Sequence, residues 1–321
     1  MLKNGNRSEA RKWMLVGLLG CALGAPGLAA AQGHAPALVV FGDSLSDPGN
    51  AFALVGGTNT PPDYSVDFFL VPTQPYARGG HHFSNGPTWI EQLANSQGLA
   101  ANAQPAFRGA NPGATNYAIG GARARDDGSD INLSRQVSRF LQDFGGAAPA
   151  GALYVVEIGG NDIRDVAVTR DPSIVFGALS AIQTNILDLY GAGARKFLVW
   201  NAPKAAVTPA IRMADALFPG TAAAVDSVNV TYNTLLGGLL GGLSALPGIQ
   251  IVTFDAYHTV ENLSGHGADF GLSNVTDPCI TPNVAPFFCQ SPDEFLFWDG
   301  IHPTKAVHAI IAQQVAKQLP H

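Results

Sequence analysis

Short apolar runs separated by longer helix-patterned stretches constrain this chain more than any other feature. Residues 37–41, 153–158, 196–200 and 250–254 are nearly continuous apolar segments, and 115–119 is a weaker fifth that runs into Gly120-Gly121. A strand with no polar side must be covered on both faces, which is the pattern of a parallel sheet and not of a half-solvated antiparallel one. The intervening stretches supply the cover. Leu133, Val137, Phe140, Leu141 and Phe144 recur at helical spacing, as do Val175, Leu179, Ile182, Ile186 and Leu189 behind an Asp171-Pro172 start signal. Residues 221–246 carry a further helix, and Trp89, Ile90 and Leu93 form the inner face of one that begins near Asn85-Gly86-Pro87. A last helix opens at Pro303 with Val307, Ile310, Ile311 and Val315 inward. This alternation predicts one doubly wound α/β domain.

Two stretches fall outside the alternation. Residues 48–84 and 264–297 are rich in Gly, Pro, Asn and Asp, and loops of that length in a compact domain are usually lids or binding loops. The N-terminus is set apart as well. Lys3, Arg7, Arg11 and Lys12 precede a short apolar run, and small residues then lead to Ala29-Ala30-Ala31. The pattern reads as a secretory signal over residues 1–31 cleaved after Ala31, with a single domain over 32–321 and a secreted or periplasmic destination. Leu18-Leu19-Gly20-Cys21 leaves a lipoprotein reading open. No later segment is long and apolar enough to span a membrane. The net charge of −6, without clusters of Lys or Arg, speaks against nucleic-acid partners. Cys279 and Cys289 remain after processing, and a nearby pair in an exported chain reads as a disulfide, with two free thiols as the alternative.

In open parallel sheets, ligands bind beyond the carboxyl ends of the strands, so the polar residues at those ends carry the functional information. Gly42-Asp43-Ser44-Leu45 follows the first strand, and Ser44 is a nucleophile candidate if a base accepts its proton. Gly120-Gly121 follows the second, where a backbone N–H can approach a ligand closely. Gly159-Gly160-Asn161-Asp162 follows the third and delivers an amide able to donate to an oxyanion. Asp299-Gly300-Ile301-His302-Pro303 precedes the last helix, and an Asp three residues before a His can fix its tautomer. Each feature alone has an ordinary reading as a helix cap, a turn or a surface pair. Together they place a nucleophile, oxyanion donors, a base and its orienting carboxylate on one rim of one sheet.

These blocks, in this order, resemble the GDSL-type esterases and lipases of the SGNH hydrolase superfamily. The matching segments are Phe41-Gly42-Asp43-Ser44-Leu45-Ser46-Asp47, Asn116-Tyr117-Ala118-Ile119-Gly120-Gly121, Gly159-Gly160-Asn161-Asp162 and Asp299-Gly300-Ile301-His302-Pro303-Thr304. The texture is similar to the secreted bacterial lipolytic and phospholipase/hemolysin-like branch. The resemblance implies a three-layer α/β/α fold with a flavodoxin-like sheet of about five parallel strands. It implies Ser44 as nucleophile, His302 as base and Asp299 as its orienting partner. The oxyanion donors would be the Ser44 N–H, the Gly121 N–H (with Gly120 as the alternative) and Asn161. It calls for no cofactor and no metal, and its substrates would be small-molecule or lipid esters. Carbohydrate acetylesterase and acyltransferase chemistry use the same blocks, and a non-catalytic surface-binding protein on this scaffold is the alternative from another class. Acyl-chain length, headgroup and oligomeric state are not encoded in these motifs.

Other residues attract attention without forming a pattern. His81-His82, His258 and His266 lack partners at metal-ligand spacing, and Asp43, Asp47, Asn50 and Asp162 read as turn-holding residues. Phe68, Phe69, Leu70, Tyr76, Phe287, Phe288, Phe295 and Phe297 are candidates for either an acyl pocket or loop core.

Overall fold

The computed structural model describes residues 37–66, 71–109, 111 and 113–319. The segment read as an export signal, with Cys21 and Ala31, lies outside the described residues, as do Phe68, Phe69 and Leu70. In chain order the elements are β1 (Leu38–Gly42), α1 (Asn50–Val55), α2 (Trp89–Ser96), α3 (Leu133–Asp143), β2 (Leu153–Glu157), α4 (Gly160–Thr169), α5 (Ser173–Ala192) and β3 (Lys196–Trp200). They continue with α6 (Pro209–Leu217), α7 (Thr221–Leu243), β4 (Gln250–Phe254), α8 (Ala256–Gly265), β5 (Asn274–Pro278), β6 (Phe295–Phe297) and α9 (Lys305–Ala316). No helix among the described residues is long and apolar enough to cross a membrane.

The main sheet has four parallel strands in the order β1-β2-β3-β4, with Leu38 opposite Leu153, Leu153 opposite Lys196, and Lys196 opposite Gln250. Side chains alternate across it as the strand period requires. Val39, Phe41, Tyr154, Val156, Phe197 and Val199 face a core shared with α3, α4, α5 and α7. Leu38, Val40, Val155, Leu198 and Trp200 face a second core built with Trp89, Ile90 and Leu93 of α2 and Val307, Ile311 and Val315 of α9. Helices therefore cover both faces, giving the three expected layers. Each fully buried large apolar side chain contributes about 1.5–3 kcal/mol, so the two cores supply the main driving force.

Local signals set the helix ends. The α2 start is a capping box in which Glu91 Oε2 accepts from the Thr88 N–H and hydroxyl, both at 2.8 Å. At α5 the Ser173 N–H donates to Asp171 Oδ1 at 2.9 Å, and Thr304 caps α9.

The fifth strand is only partly realised. Residues 115–119 run parallel to the free edge of β1, with Val40 N–H donating to Thr115 O (3.0 Å), Tyr117 N–H to Val40 O (2.7 Å) and Ile119 N–H to Gly42 O (3.1 Å). On the outer edge the backbone of residues 102–106 meets only Thr115 and Asn116, with the Thr115 N–H donating to the Asn102 carbonyl and the Ala106 N–H to the Asn116 carbonyl, both at 3.0 Å, and side-chain amides take up the rest. Asn50 Nδ2 donates to the Asn116 and Ala118 carbonyls at 2.8 Å each, and Asn116 Oδ1 accepts from the Ala118 N–H at 3.0 Å. The segment thus ends the sheet as a bridge while still placing Gly120-Gly121 beside the carboxyl end of β1.

The two long stretches are not bare loops. Residues 48–84 include α1, and 264–297 hold β5 and β6, which pair in parallel. Cys279 and Cys289 are bonded, with Cα atoms 5.4 Å apart. Ile280, with Phe287 and Cys289 beside it, packs against Tyr64 and Tyr76 of the first stretch. Asn283 fastens the two together, accepting from the Tyr64 N–H at 2.7 Å and donating to the Tyr64 carbonyl at 2.9 Å.

Candidate active site

β1 ends at Gly42, whose peptide is clamped by one side chain. Gln136 of α3 accepts from the Gly42 N–H at 2.9 Å and donates to the Gly42 carbonyl at 2.8 Å. The turn that follows is closed by Asp43, which accepts from the Leu45 N–H at 3.1 Å, and by the Ser46 N–H donating to the Asp43 carbonyl at 3.2 Å. Ser44 stands at the crest. Its Oγ lies 2.9 Å from His302 Nε2, although the two residues are 258 positions apart. His302 Nδ1 lies 2.8 Å from Asp299 Oδ2 and 3.0 Å from Oδ1, and Asp299 also accepts from the His302 and Ile301 N–H groups. Asp299 is fully buried and His302 nearly so. A carboxylate against Nδ1 favours the tautomer in which Nε2, facing the Ser44 hydroxyl, is the free acceptor.

The Gly120-Gly121 turn is held almost atom by atom. Gly120 N–H donates to Asp47 Oδ2 at 2.8 Å, and Arg123 donates to the Gly121 carbonyl at 2.7 Å. The Ala122 carbonyl accepts from Asn161 Nδ2 at 2.8 Å, and the Ala124 N–H donates to Asp162 Oδ2 at 2.7 Å. Among these groups the Gly121 N–H has no protein acceptor among the described residues, and the same is true of the Ser44 N–H. Gly121 has φ +84°, a conformation that favours glycine. Gly120 has a different constraint: a Cβ there would stand 2.0 Å from the Phe83 ring. Asn161, in the first turn of α4, directs its amide toward the same place, with its second contact, to Asp43 Oδ2, at a weak 3.5 Å.

Ser44, Gly121, Asn161, Asp299 and His302, the set read from the four sequence blocks, are therefore gathered at one end of β1. Asp47 and Asp162 hold turns as expected, Asp47 by accepting from Gly49, Ala51 and Gly120. Burial pushes Asp43 and Asp47 up to about 6, the backbone donors opposing it in each case. Beneath the turn, Glu157 is buried and accepts from Ser46 Oγ at 2.9 Å; burial, with Asp43 nearby, holds it well above the usual carboxyl range. The tempting histidines are engaged elsewhere. His82 lies between the Gly79 carbonyl (2.6 Å) and Glu91 (2.8 Å), His81 stacks on Phe52, and His258 pairs with Asp255. Among the described residues no group of three or more His, Cys, Asp or Glu could hold a metal ion.

Two recesses meet at Ser44, Asn161, Ile301 and His302. One, of about 110 Å³, runs inward between the layers and is lined chiefly by apolar side chains, among them Leu45, Ile163, Trp200, Ile211, Val225 and Val307. The other, of about 260 Å³, opens on the Gly120-Gly121 side and is bordered by Val71, Pro72 and Phe83. Of the aromatic residues noted in the sequence, Phe297 lines the inner recess, Tyr76 and Phe287 belong to the packing of the two long stretches, and Phe288 is exposed. The apolar wall comes mostly from β3, α4, α6, α7 and α9 instead, and no motif in the sequence marks those positions. Three residues have supporting contacts that the sequence did not assign them. Tyr76 donates to Asp299 Oδ2 at 2.6 Å, Arg123 grips both the turn and Asp165, and Phe83 lies 5.6 Å from the His302 ring.

Comparison with known proteins agrees with this geometry. The profile of the GDSL-like lipase/acylhydrolase family matches residues 38–315. A GDSL esterase/lipase of Arabidopsis thaliana is 28% identical over 313 residues, covering 86% of each chain. A second from the same plant is 26% identical over 330 residues, 88% of this chain and 90% of that one. The thermolabile hemolysin of Vibrio parahaemolyticus is 26% identical over 298 residues, 87% of this chain and 62% of the hemolysin. A profile match that runs from β1 through α9 leaves no doubt about kinship: the chain belongs to the GDSL-like lipase/acylhydrolase family and is a carboxylester hydrolase.

Proposed function

We propose that this hydrolase cleaves lipid or other acyl esters through a covalent acyl-enzyme on Ser44. The observation that carries the reading is the unbroken chain from Asp299 through His302 to Ser44 Oγ, with links of 2.8 and 2.9 Å, set at the mouth of an apolar recess. In the first half-reaction His302 Nε2 takes the Ser44 proton as Oγ attacks the ester carbonyl carbon. The carbonyl oxygen becomes an oxyanion that accepts from the Ser44 N–H, the Gly121 N–H and Asn161 Nδ2. Gly121 is preferred to Gly120 because the Gly120 N–H already donates to Asp47. The intermediate collapses as His302 protonates the departing alkoxide. Water then attacks the acyl-enzyme with His302 again as base, releasing the acid and restoring Ser44.

The inner recess suits the acyl chain, and the recess on the Gly120-Gly121 side suits the alcohol. An apolar chain gains about 0.8 kcal/mol per buried methylene, so kcat/KM should rise about fourfold per added methylene until the recess is full. This favours acyl esters over the acetylated carbohydrates that would otherwise fit the same chemistry. We also place the protein outside the cytoplasm. The basic, apolar and small-residue succession of the first 31 residues and the Cys279–Cys289 disulfide support export. Similarity to a protein named as a hemolysin adds phospholipids to the substrates to be tried. The test is a ladder of p-nitrophenyl esters from acetyl to palmitoyl, with acetylated xylan and phosphatidylcholine beside it and Ser44→Ala as control. A maximum beyond acetyl supports the reading; flat activity past acetyl with turnover of the acetylated sugar overturns it.

A further inference from the structure

Asp299 is fully buried, and among the described residues it has neither Lys nor Arg as an ion-pair partner. A carboxyl group in that position depends on hydrogen-bond donors to satisfy its oxygens and set its orientation. Oδ1 accepts from the Ile301 and His302 N–H groups at 3.0 and 2.8 Å. Oδ2, the oxygen nearer His302 Nδ1, accepts from the Tyr76 hydroxyl at 2.6 Å. That short contact comes from a residue 223 positions away, on the long stretch before α2.

Tyr76 is itself firmly placed. Its N–H donates to the His82 carbonyl at 2.9 Å, and the next N–H, of Ala77, donates to the Asn59 carbonyl at 3.0 Å. The ring is buried, meeting Trp298 edge-on at 5.8 Å and Tyr64 at 5.9 Å. Ile280, next to Cys279 of the disulfide, completes this small core. Its hydroxyl proton is securely held, because burial and the adjoining carboxylate raise the Tyr76 phenol far above its ordinary range.

We propose that Tyr76 is a positioning residue for ester hydrolysis: its hydroxyl fixes Asp299 Oδ2 against His302 and so links the packing of the two long stretches to the alignment of the base. The inference rests on the triad reading above. It assigns those stretches a task distinct from closing over substrate, since Tyr76 contacts Asp299 and lines neither recess at Ser44.

The experiment is a double-mutant cycle read by the rate at which a fluorophosphonate probe labels the full-length protein. Tyr76→Phe removes only the hydroxyl, and labelling should slow by about tenfold, an effect of the size a hydrogen bond to a charged group can exert. With p-nitrophenyl butyrate, kcat should fall similarly while KM stays unchanged. In the Asp299→Ala background the same substitution should change labelling less than about twofold, because nothing remains to be positioned. A merely structural role would slow both backgrounds alike, and that result overturns the proposal. Wild-type labelling by Tyr76→Phe overturns it too. Ser44→Ala is run in parallel: loss of label there keeps the triad reading intact whatever Tyr76 does, whereas retained label removes that reading and the proposal with it. Thermal melts of all variants establish that folded protein is being compared.

Discussion

Adding a single methyl group at Gly120 should damage catalysis out of proportion to stability. The backbone at Gly120 is open to any residue, so Gly120→Ala adds no backbone strain, unlike a change at Gly121 with its φ of +84°. The obstacle is Phe83. The new Cβ would stand 2.0, 2.4 and 2.8 Å from three ring carbons, where carbon atoms normally keep about 3.5–4.0 Å apart. The ring must therefore retreat by about 1.5 Å. One way out leads toward His302, whose ring centroid is 5.6 Å away, and the other leads into the recess on the Gly120-Gly121 side that Phe83 borders. Overpacking of this kind costs about 1–3 kcal/mol, and at about 2–4 °C per kcal/mol the melting point should fall by roughly 2–12 °C. Turnover should suffer more, because displacing a reacting group by about 1 Å can cost about 100-fold. The assay is kcat/KM on p-nitrophenyl butyrate together with a thermal melt. Phe83→Ala in the same chain should restore much of the lost activity by giving the methyl room. Wild-type turnover in Gly120→Ala, or no recovery in the double variant, would refute this steric reasoning.

Three further outcomes follow from the same geometry. Asn161→Ala should lower kcat by about 10²–10³ with little change in KM, since it removes an oxyanion donor, and an unchanged kcat would exclude the residue from that role. Glu157→Gln should become progressively more stable than the parent as pH rises from about 5 to 8, measured by urea unfolding at both ends. The sign follows from its raised carboxyl: above the pH at which the unfolded chain ionises, the native state still holds the proton, so the parent loses stability with rising pH and the amide does not. A gap that narrows with pH would contradict the burial argument. Replacing Cys279 and Cys289 together by Ser should cost up to about 3 kcal/mol, the loop-closure value for a span this short, and should lower turnover through the loosened support of Tyr76. A variant that melts earlier but turns over normally would separate the two effects.

The main sheet and the grouping of the candidate site residues were legible because both follow from where the strands lie. β3 and β4 coincide with their apolar runs, β1 is shifted along by one residue and β2 ends one residue early; the signal is clearest in β1, β2 and β3, where strands buried on both faces admit almost no polar residue, and weaker in the partly exposed β4. The candidate site residues lie just after strands or after the bridging segment 115–119, where chain order and spatial order agree. Residues 115–119 lacked that clarity because their outer edge is met by a single short backbone bridge from residues 102–106 and by the Asn50 and Asn116 side chains, interactions with no periodicity. Tyr76 and Phe83 were hidden for a related reason. Each acts across more than 200 residues of separation, from a stretch whose Gly and Pro content signals turns but says nothing of what the turns bring together. The apolar recess was likewise obscured, since Ile163, Ile211, Val225 and Val307 look like ordinary core positions on amphipathic helices.

The proposed mechanism has Ser44 attack with His302 as its base. Its most direct test is fluorophosphonate labelling followed by mass spectrometry of the peptide that contains Ser44. One serine, Ser44, should be modified, with no labelling in Ser44→Ala and labelling slowed by at least about 10³-fold in His302→Ala. Label on a different serine, or ester turnover at the parent rate in Ser44→Ala, would contradict it.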